Sequence, residues 1–128
     1  CFSSFKQLFA DAYPHSYDQQ EMARHHARYY HLMDTWRERF SGRFFDISYE
    51  DTAQNLEPNA RRLIEFLGLG WEDACLDFHS QKAAVTTASV VQVREPAHTR
   101  SVGRWRRYQD QLTEMQQTLT EQGVPLQQ

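Results

Sequence analysis

Arg94, Arg100, Arg104, Arg106 and Arg107 fall within fourteen consecutive positions, "REPAHTRSVGRWRR", of a chain whose formal net charge is −3. A guanidinium is a permanently charged planar fork of N–H donors that matches phosphate, sulfate and carboxylate oxygens. The chemistry such a cluster can do is oxyanion recognition. Val102, Trp105, Tyr108, Leu112, Met115 and Leu119 recur at helical spacing, so the pattern predicts a helix over 103–119 with Ser101 as its N-cap. Three arginines would then occupy the first turns, where the helix dipole already presents positive charge and favours an anion. A bound phosphate or sulfate would offset that cost; a solvated basic face with acidic neighbours is the alternative.

Hydroxyls that can join such a site are Ser3, Ser4, Thr86, Thr87 and Ser89, although serines near a helix start also serve simply as caps. Tyr49 is the aromatic best placed to meet a planar ligand, its alternative role being packing beside Ile47. His25, His26 and His31 invite a metal reading, but His26 and His31 are five residues apart and do not share a helix face, so no metal is expected. His26 reads as a core histidine. Asp46, Glu50 and Asp51 show no second carboxylate aimed at them, and Asp51 reads as a polar strand end. There is no glycine-rich phosphate loop, nucleophile elbow or HExxH motif, and the catalytic residues are unknown.

The elements that must carry these residues follow from periodicity and punctuation. Phe2, Phe5, Leu8 and Phe9 predict a short helix over 2–12, broken at Tyr13-Pro14. Met22, His26, Tyr29, Met33, Trp36 and Phe40 predict a long helix over 18–40 with one buried stripe. The aromatic and β-branched run Phe44 to Tyr49 predicts the one clear strand, around 43–49, whose partners must come from elsewhere. Pro58 and Gly68 bracket a helix over 59–67 burying Leu63, Ile64 and Leu67, and 71–78 suggests a further turn or two. Residues 81–98 read as a long ordered loop, and 123–128 as a frayed tail.

At 40% hydrophobic and 13% aromatic residues, 128 positions suffice for one domain with a core rather than a disordered chain. The near-neutral charge balance argues against a nucleic-acid coat. Cys1 and Cys75 form no CxxC pair, which points to a reducing setting without a disulfide framework. No apolar run reaches the length of a membrane span and no leader precedes the first segment, so a cytoplasmic protein is expected.

In order along the chain, "CFSSFKQLF", "YPHSYD", "YYHLMDTW", "DISYEDTAQNLEPNARRLIEFLGLGWEDACLDFH", "VTTASVVQVREP" and "SVGRWRRYQDQL" resemble the C-terminal part of bacterial sulfotransferase domains, especially those that follow tetratricopeptide repeats. The resemblance covers nearly the whole chain, the YED-to-FLGL and QVR-x-P-to-SVGRW stretches being specific in combination. It implies an α/β fold, this chain being the mostly helical C-terminal portion of a P-loop-kinase-like domain, a single partial domain over 1–128. It also implies a sulfuryl donor, 3′-phosphoadenosine-5′-phosphosulfate (PAPS), and an acceptor hydroxyl or amine of unknown identity.

Position by position, the resemblance gives Ser3 the role of the serine that binds the 3′-phosphate, with its arginine partner expected just before Cys1. Tyr49 of "YED" matches the tyrosine that contacts adenine, and Ser89 of "TAS" a polar residue near the nucleotide. The segment from Arg94 through Arg100, Ser101, Gly103 and Arg104 matches the region that wraps the cofactor phosphates, although "PAHTRS" departs from the more usual Pro-Ile-Tyr-x-x-Ser. The family's N-terminal phosphosulfate loop, its usual base region and most of its parallel sheet have no counterpart here. The segment alone is expected to be inactive. The rival reading is a helical interaction module that binds an acidic or phosphorylated partner through its arginines and needs no further sequence.

Overall fold

A computed structural model describes residues 1–80 and 95–126. The chain divides into two compact units, one made of residues 1–44 with 103–128 and the other of residues 45–102.

In the first unit α1 (Phe2–Phe5) and a 3-10 turn (Pro14–Tyr17) lead into α2 (Gln19–Arg39), a helix of 21 residues. Asp18 starts α2 as its N-cap, its carboxylate accepting from the Glu21 N–H at 2.8 Å. The expected helix over 2–12 is cut to one turn. After it the Tyr17 hydroxyl takes the Phe9 N–H at 2.9 Å and donates to the Ala10 carbonyl at 3.0 Å, so a side chain replaces helical bonding there.

The long helix is where the pattern puts it, but its buried face is not the aromatic stripe. Met22, Ala23 and Ala27 are buried, whereas Tyr29, Trp36 and Phe40 are exposed. Alanines at 23 and 27 admit a close approach by α5 (Thr113–Glu121), whose Met115 and Leu119 complete a core with Leu112 and Val124. Burying each of these larger side chains stabilises the unit by roughly 1.5–3 kcal/mol.

The predicted helix over 103–119 is two structures joined at a kink. Arg104–Leu112 winds as a 3-10 helix with a non-helical Tyr108, and α5 begins only at Thr113. Ser101 caps nothing, the N-cap position being Gly103 at φ 63. Three like charges opposing a helix dipole disfavour regular α-helical winding here, while Trp105 packs against the core and Tyr108 stacks on Phe2 at 5.1 Å.

Where the winding changes, carbonyls lose their helical donors, and glutamines supply them. Gln116 donates to the Gln109 carbonyl at 2.9 Å, the Thr113 hydroxyl to Asp110 at 2.8 Å and Gln19 to Gln111 at 2.9 Å. The Gln19 oxygen also accepts from the Met115 N–H at 3.3 Å, so one side chain of α2 grips both sides of the break. At the other end, Gly123 at φ 73 closes α5, and Val124 reaches back to the Leu119 carbonyl at 3.0 Å and is buried.

The second unit corrects the expected α/β class. Among the described residues there is no strand: Phe44 to Ser48 takes no regular secondary structure, and a strand forms only where a ladder partner is present. Phe45 packs on Phe66 at 5.2 Å, with the Arg62 guanidinium 5.6 Å from its ring. Ser48 then caps α3 (Tyr49–Gln54) by accepting from the Asp51 N–H at 3.2 Å. The short sequence Ser48-Tyr-Glu-Asp is thus a helix start, and the described residues are helical and form no P-loop-kinase-like sheet.

A tight break at Asn55 leads to α4 (Leu56–Phe66), with Pro58 inside its first turn. The helix ends at Gly68, φ 68, in a Schellman pattern whose Leu69 N–H reaches the Ile64 carbonyl at 3.1 Å. Leu63 and Ile64 are half-buried while Leu67 is exposed. Short 3-10 turns at Asp73–Cys75 and Phe78–Ser80 follow.

Replacing Gln19 by Ala removes both bonds across the break and should lower stability by about 1–2 kcal/mol. Urea denaturation followed by far-UV circular dichroism reads this directly; a midpoint equal to that of the parent would show that the α2 grip does not support the kink.

Candidate functional site in the second unit

Tyr49 is the first residue of α3, and because Ser48 caps that helix its ring stands 55% exposed instead of facing a sheet. It lines a cavity of about 350 Å3 with Thr52, Phe78, Glu95, His98 and Ser101. That volume falls within the range of small-ligand pockets, roughly 300–1,000 Å3. Two aromatic rings, two hydroxyls, a carboxylate and an imidazole therefore meet over an otherwise apolar floor that includes Ala53 and Leu56.

What holds Tyr49 in place is a polar clamp one turn further on. The Asp51 carboxylate accepts from the Asn55 amide at 2.9 Å and from the Asn59 amide at 2.8 Å. Asn59, buried in α4, also donates to the Asn55 carbonyl at 3.1 Å and accepts from Arg62 at 3.4 Å. Asp51 thus ties α3 to α4 and is not a general acid or base; its reading as a strand end is corrected accordingly. Hydrogen bonds from Asn55 and then Asn59, helped by the nearby Arg62 charge, hold its carboxyl below the usual carboxylate range. Below the cavity-bearing helix, Arg61 lies over the Trp71 ring at 4.0 Å and pairs with Glu57 at 2.7 Å, so the arginines of "NARRL" serve packing.

Arg100 reaches the cavity wall through Glu95, whose Oε2 accepts from its guanidinium. The same oxygen lies 3.5 Å from His98 Nε2, and His98 Nδ1 is buried with no partner among the described residues. Glu95, His98, Phe78 and Thr52 were not singled out by sequence reasoning. The spacing Glu95-x-x-His98-x-Arg100 was the available signal, hidden because five arginines in the same stretch drew the eye to anions from outside rather than to the acid within it.

Of the residues expected from the sequence, Tyr49 and Ser101 line one cavity and Arg100 sits at its wall. Ser89 and Arg94 lie outside the described residues. Ser3, Gly103 and Arg104 belong to the first unit. There Ser3 is exposed on α1, and Arg104, Arg106 and Arg107 are exposed with no ion pair to any described residue. His15 and His25 stack at 3.9 Å, and burial pushes the half-buried His26 imidazole down from its ordinary value. Among the described residues no group of three or more His, Cys, Asp or Glu side chains is arranged to hold a metal ion, and no helix is long and apolar enough to cross a membrane.

Comparison with known proteins decides the family. The model of the sulfotransferase family matches residues 1–73, more than half of the chain. The chain belongs to the sulfotransferase family. The match includes Ser3 and the whole "YED" helix with Tyr49, and ends before the arginine segment. An uncharacterized protein of Aquifex aeolicus is 37% identical over 90 residues, which is 70% of this chain but 12% of that protein. The chain therefore spans only a small part of this relative's length. No solved structure matches.

The clamp makes a pH prediction for this sulfotransferase-family segment. A carboxyl held below its unfolded value, about 3.9, contributes stability above that pH and loses it as the pH falls through the folded value. Asp51→Asn should accordingly be less stable than the parent at neutral pH, with the gap closing below about pH 4. Urea midpoints measured from pH 2.5 to 7 on both proteins test it; a gap that stays constant with pH would remove the charge from the clamp.

Proposed function

We propose that this chain is the portion of a sulfotransferase that holds the nucleotide of PAPS, for transfer of the sulfuryl group to an acceptor hydroxyl or amine. The observation that carries the reading is the exposed Tyr49 ring, within the family match, sharing a cavity with Ser101 from the opposite end of the second unit. An exposed aromatic face suits adenine, the Ser101 hydroxyl suits a ribose or phosphate oxygen, and the Arg100 guanidinium suits a phosphate. The donor set therefore fits the nucleotide, with Glu95 as the one opposing charge. When bound, the donor supplies the activated sulfuryl group; the residues of this chain grip the nucleotide so that its reacting end is positioned.

Ser3 belongs to the same proposal as a contact to the 3′-phosphate, Ser89 as a polar residue near the nucleotide, and Arg94, Gly103 and Arg104 as part of the stretch that wraps the cofactor phosphates. The base that takes the acceptor proton lies, in this reading, in sequence preceding Cys1, as do any tetratricopeptide repeats; the much greater length of the Aquifex relative fits a larger chain. A second reading, recognition of an acidic partner, draws on the exposed Arg104, Arg106 and Arg107, which pair with no described carboxylate.

Calorimetric titration of the intact gene product with 3′-phosphoadenosine-5′-phosphate, with 5′-AMP as control, tests the proposal. Selective binding of the bisphosphate is expected, and Tyr49→Ala should weaken it roughly tenfold or more, as for loss of one stacked base. Ser3→Ala should weaken it further. Equal binding of both nucleotides, or none, would favour the acidic-partner reading.

A further inference from the structure

The cavity wall contains a carboxylate where an anionic ligand is to bind, and that carboxylate already occupies the arginine meant for the ligand. Glu95 lines the cavity, whereas Arg100 does not; the guanidinium is brought to the wall by its bond to Glu95 Oε2. His98 Nε2 approaches the same oxygen at 3.5 Å, so one carboxylate oxygen gathers both basic groups. The Arg100 side chain is 68% exposed and that of Glu95 42%. A pair so open to water is weak, of the order of 0–1 kcal/mol, and readily exchanged.

From this arrangement we infer that Glu95 is an internal counterion that stands in for a ligand phosphate, holding Arg100 at the cavity until a more highly charged anion displaces it. The inference rests on the nucleotide reading of the cavity and adds an affinity-setting residue to it. A dianionic phosphate outcompetes a single carboxylate for the guanidinium fork, whereas a neutral or singly charged ligand has less to offer in exchange. Breaking the pair costs every ligand that takes Arg100 the same free energy, so Glu95 lowers affinity for anions that use the guanidinium and leaves ligands that do not use it untouched.

Glu95→Gln and Arg100→Gln, singly and together, test the idea in the intact gene product. Both side chains are partly or largely exposed, so folding should be retained, as circular dichroism would verify. The first probe is inorganic pyrophosphate, followed by thermal shift across a concentration series. Glu95→Gln should tighten its apparent affinity about fivefold, the equivalent of a pair worth about 1 kcal/mol, and Arg100→Gln should abolish that gain. The second probe is 3′-phosphoadenosine-5′-phosphate, with 5′-AMP beside it, where Glu95→Gln should tighten binding of the bisphosphate and Arg100→Gln should again abolish the gain.

No gain with pyrophosphate, or the same gain with and without Arg100, would overturn the counterion role, the latter by showing plain repulsion from Glu95. A bisphosphate gain that persists without Arg100 would overturn that role as well. If pyrophosphate responds as expected while no variant, nor the parent, binds either nucleotide, the nucleotide reading fails and the Glu95–Arg100 exchange stands for a different polyanion.

Discussion

The approach of α5 to α2 is the contact on which the remaining structure hangs. Its partners, Ala23 and Ala27 on one side and Met115 and Leu119 on the other, are about ninety residues apart in the chain. Closing so long a loop costs conformational entropy, which burial of the Met and Leu side chains must offset. Alanine is what makes the contact possible, since any larger side chain at 23 or 27 would hold the helices apart and open a void between them. The described helices of the second unit, by contrast, bury no large apolar side chain.

The second unit is held differently, by polar groups. Asn59 is its only buried residue among those described, and it is spent on Asp51, Asn55 and Arg62 rather than on a hydrophobic contact. Such a clamp is directional. It fixes the angle between α3 and α4 and so the direction of the Tyr49 ring, which a greasy contact of the same size would leave less defined. An exposed aromatic on a short helix needs that kind of support.

Charge in the arginine-rich stretch is distributed, not pooled. Arg100 is answered locally by Glu95, while Arg104, Arg106 and Arg107 are left exposed on a 3-10 helix in the other unit. Local neutralisation in the second unit and open cations in the first are two distinct chemical situations that one run of letters does not separate. The family match, which stops at residue 73, bears on neither.

Helix positions were legible wherever punctuation was strong: Asp18 before α2, Pro58 and Gly68 around α4, Gly123 after α5. The family was legible too, because the residues of its motifs stand in order whatever fold surrounds them. Burial was less so. Periodicity finds an amphipathic face by weighting large apolar residues, yet α2 buries its alanines, because what decides a close helix contact is the volume the partner must fit. The run Phe44 to Tyr49 has strand-forming residues, but strand structure is a property of paired backbones, and here Ser48 caps a helix instead. Tyr49 and Ser101 could each be singled out from the family resemblance. That they share one cavity, with Glu95 holding Arg100 at its wall, was decided only by the folding of the second unit, since side chains about fifty residues apart acquire a common surface through packing alone.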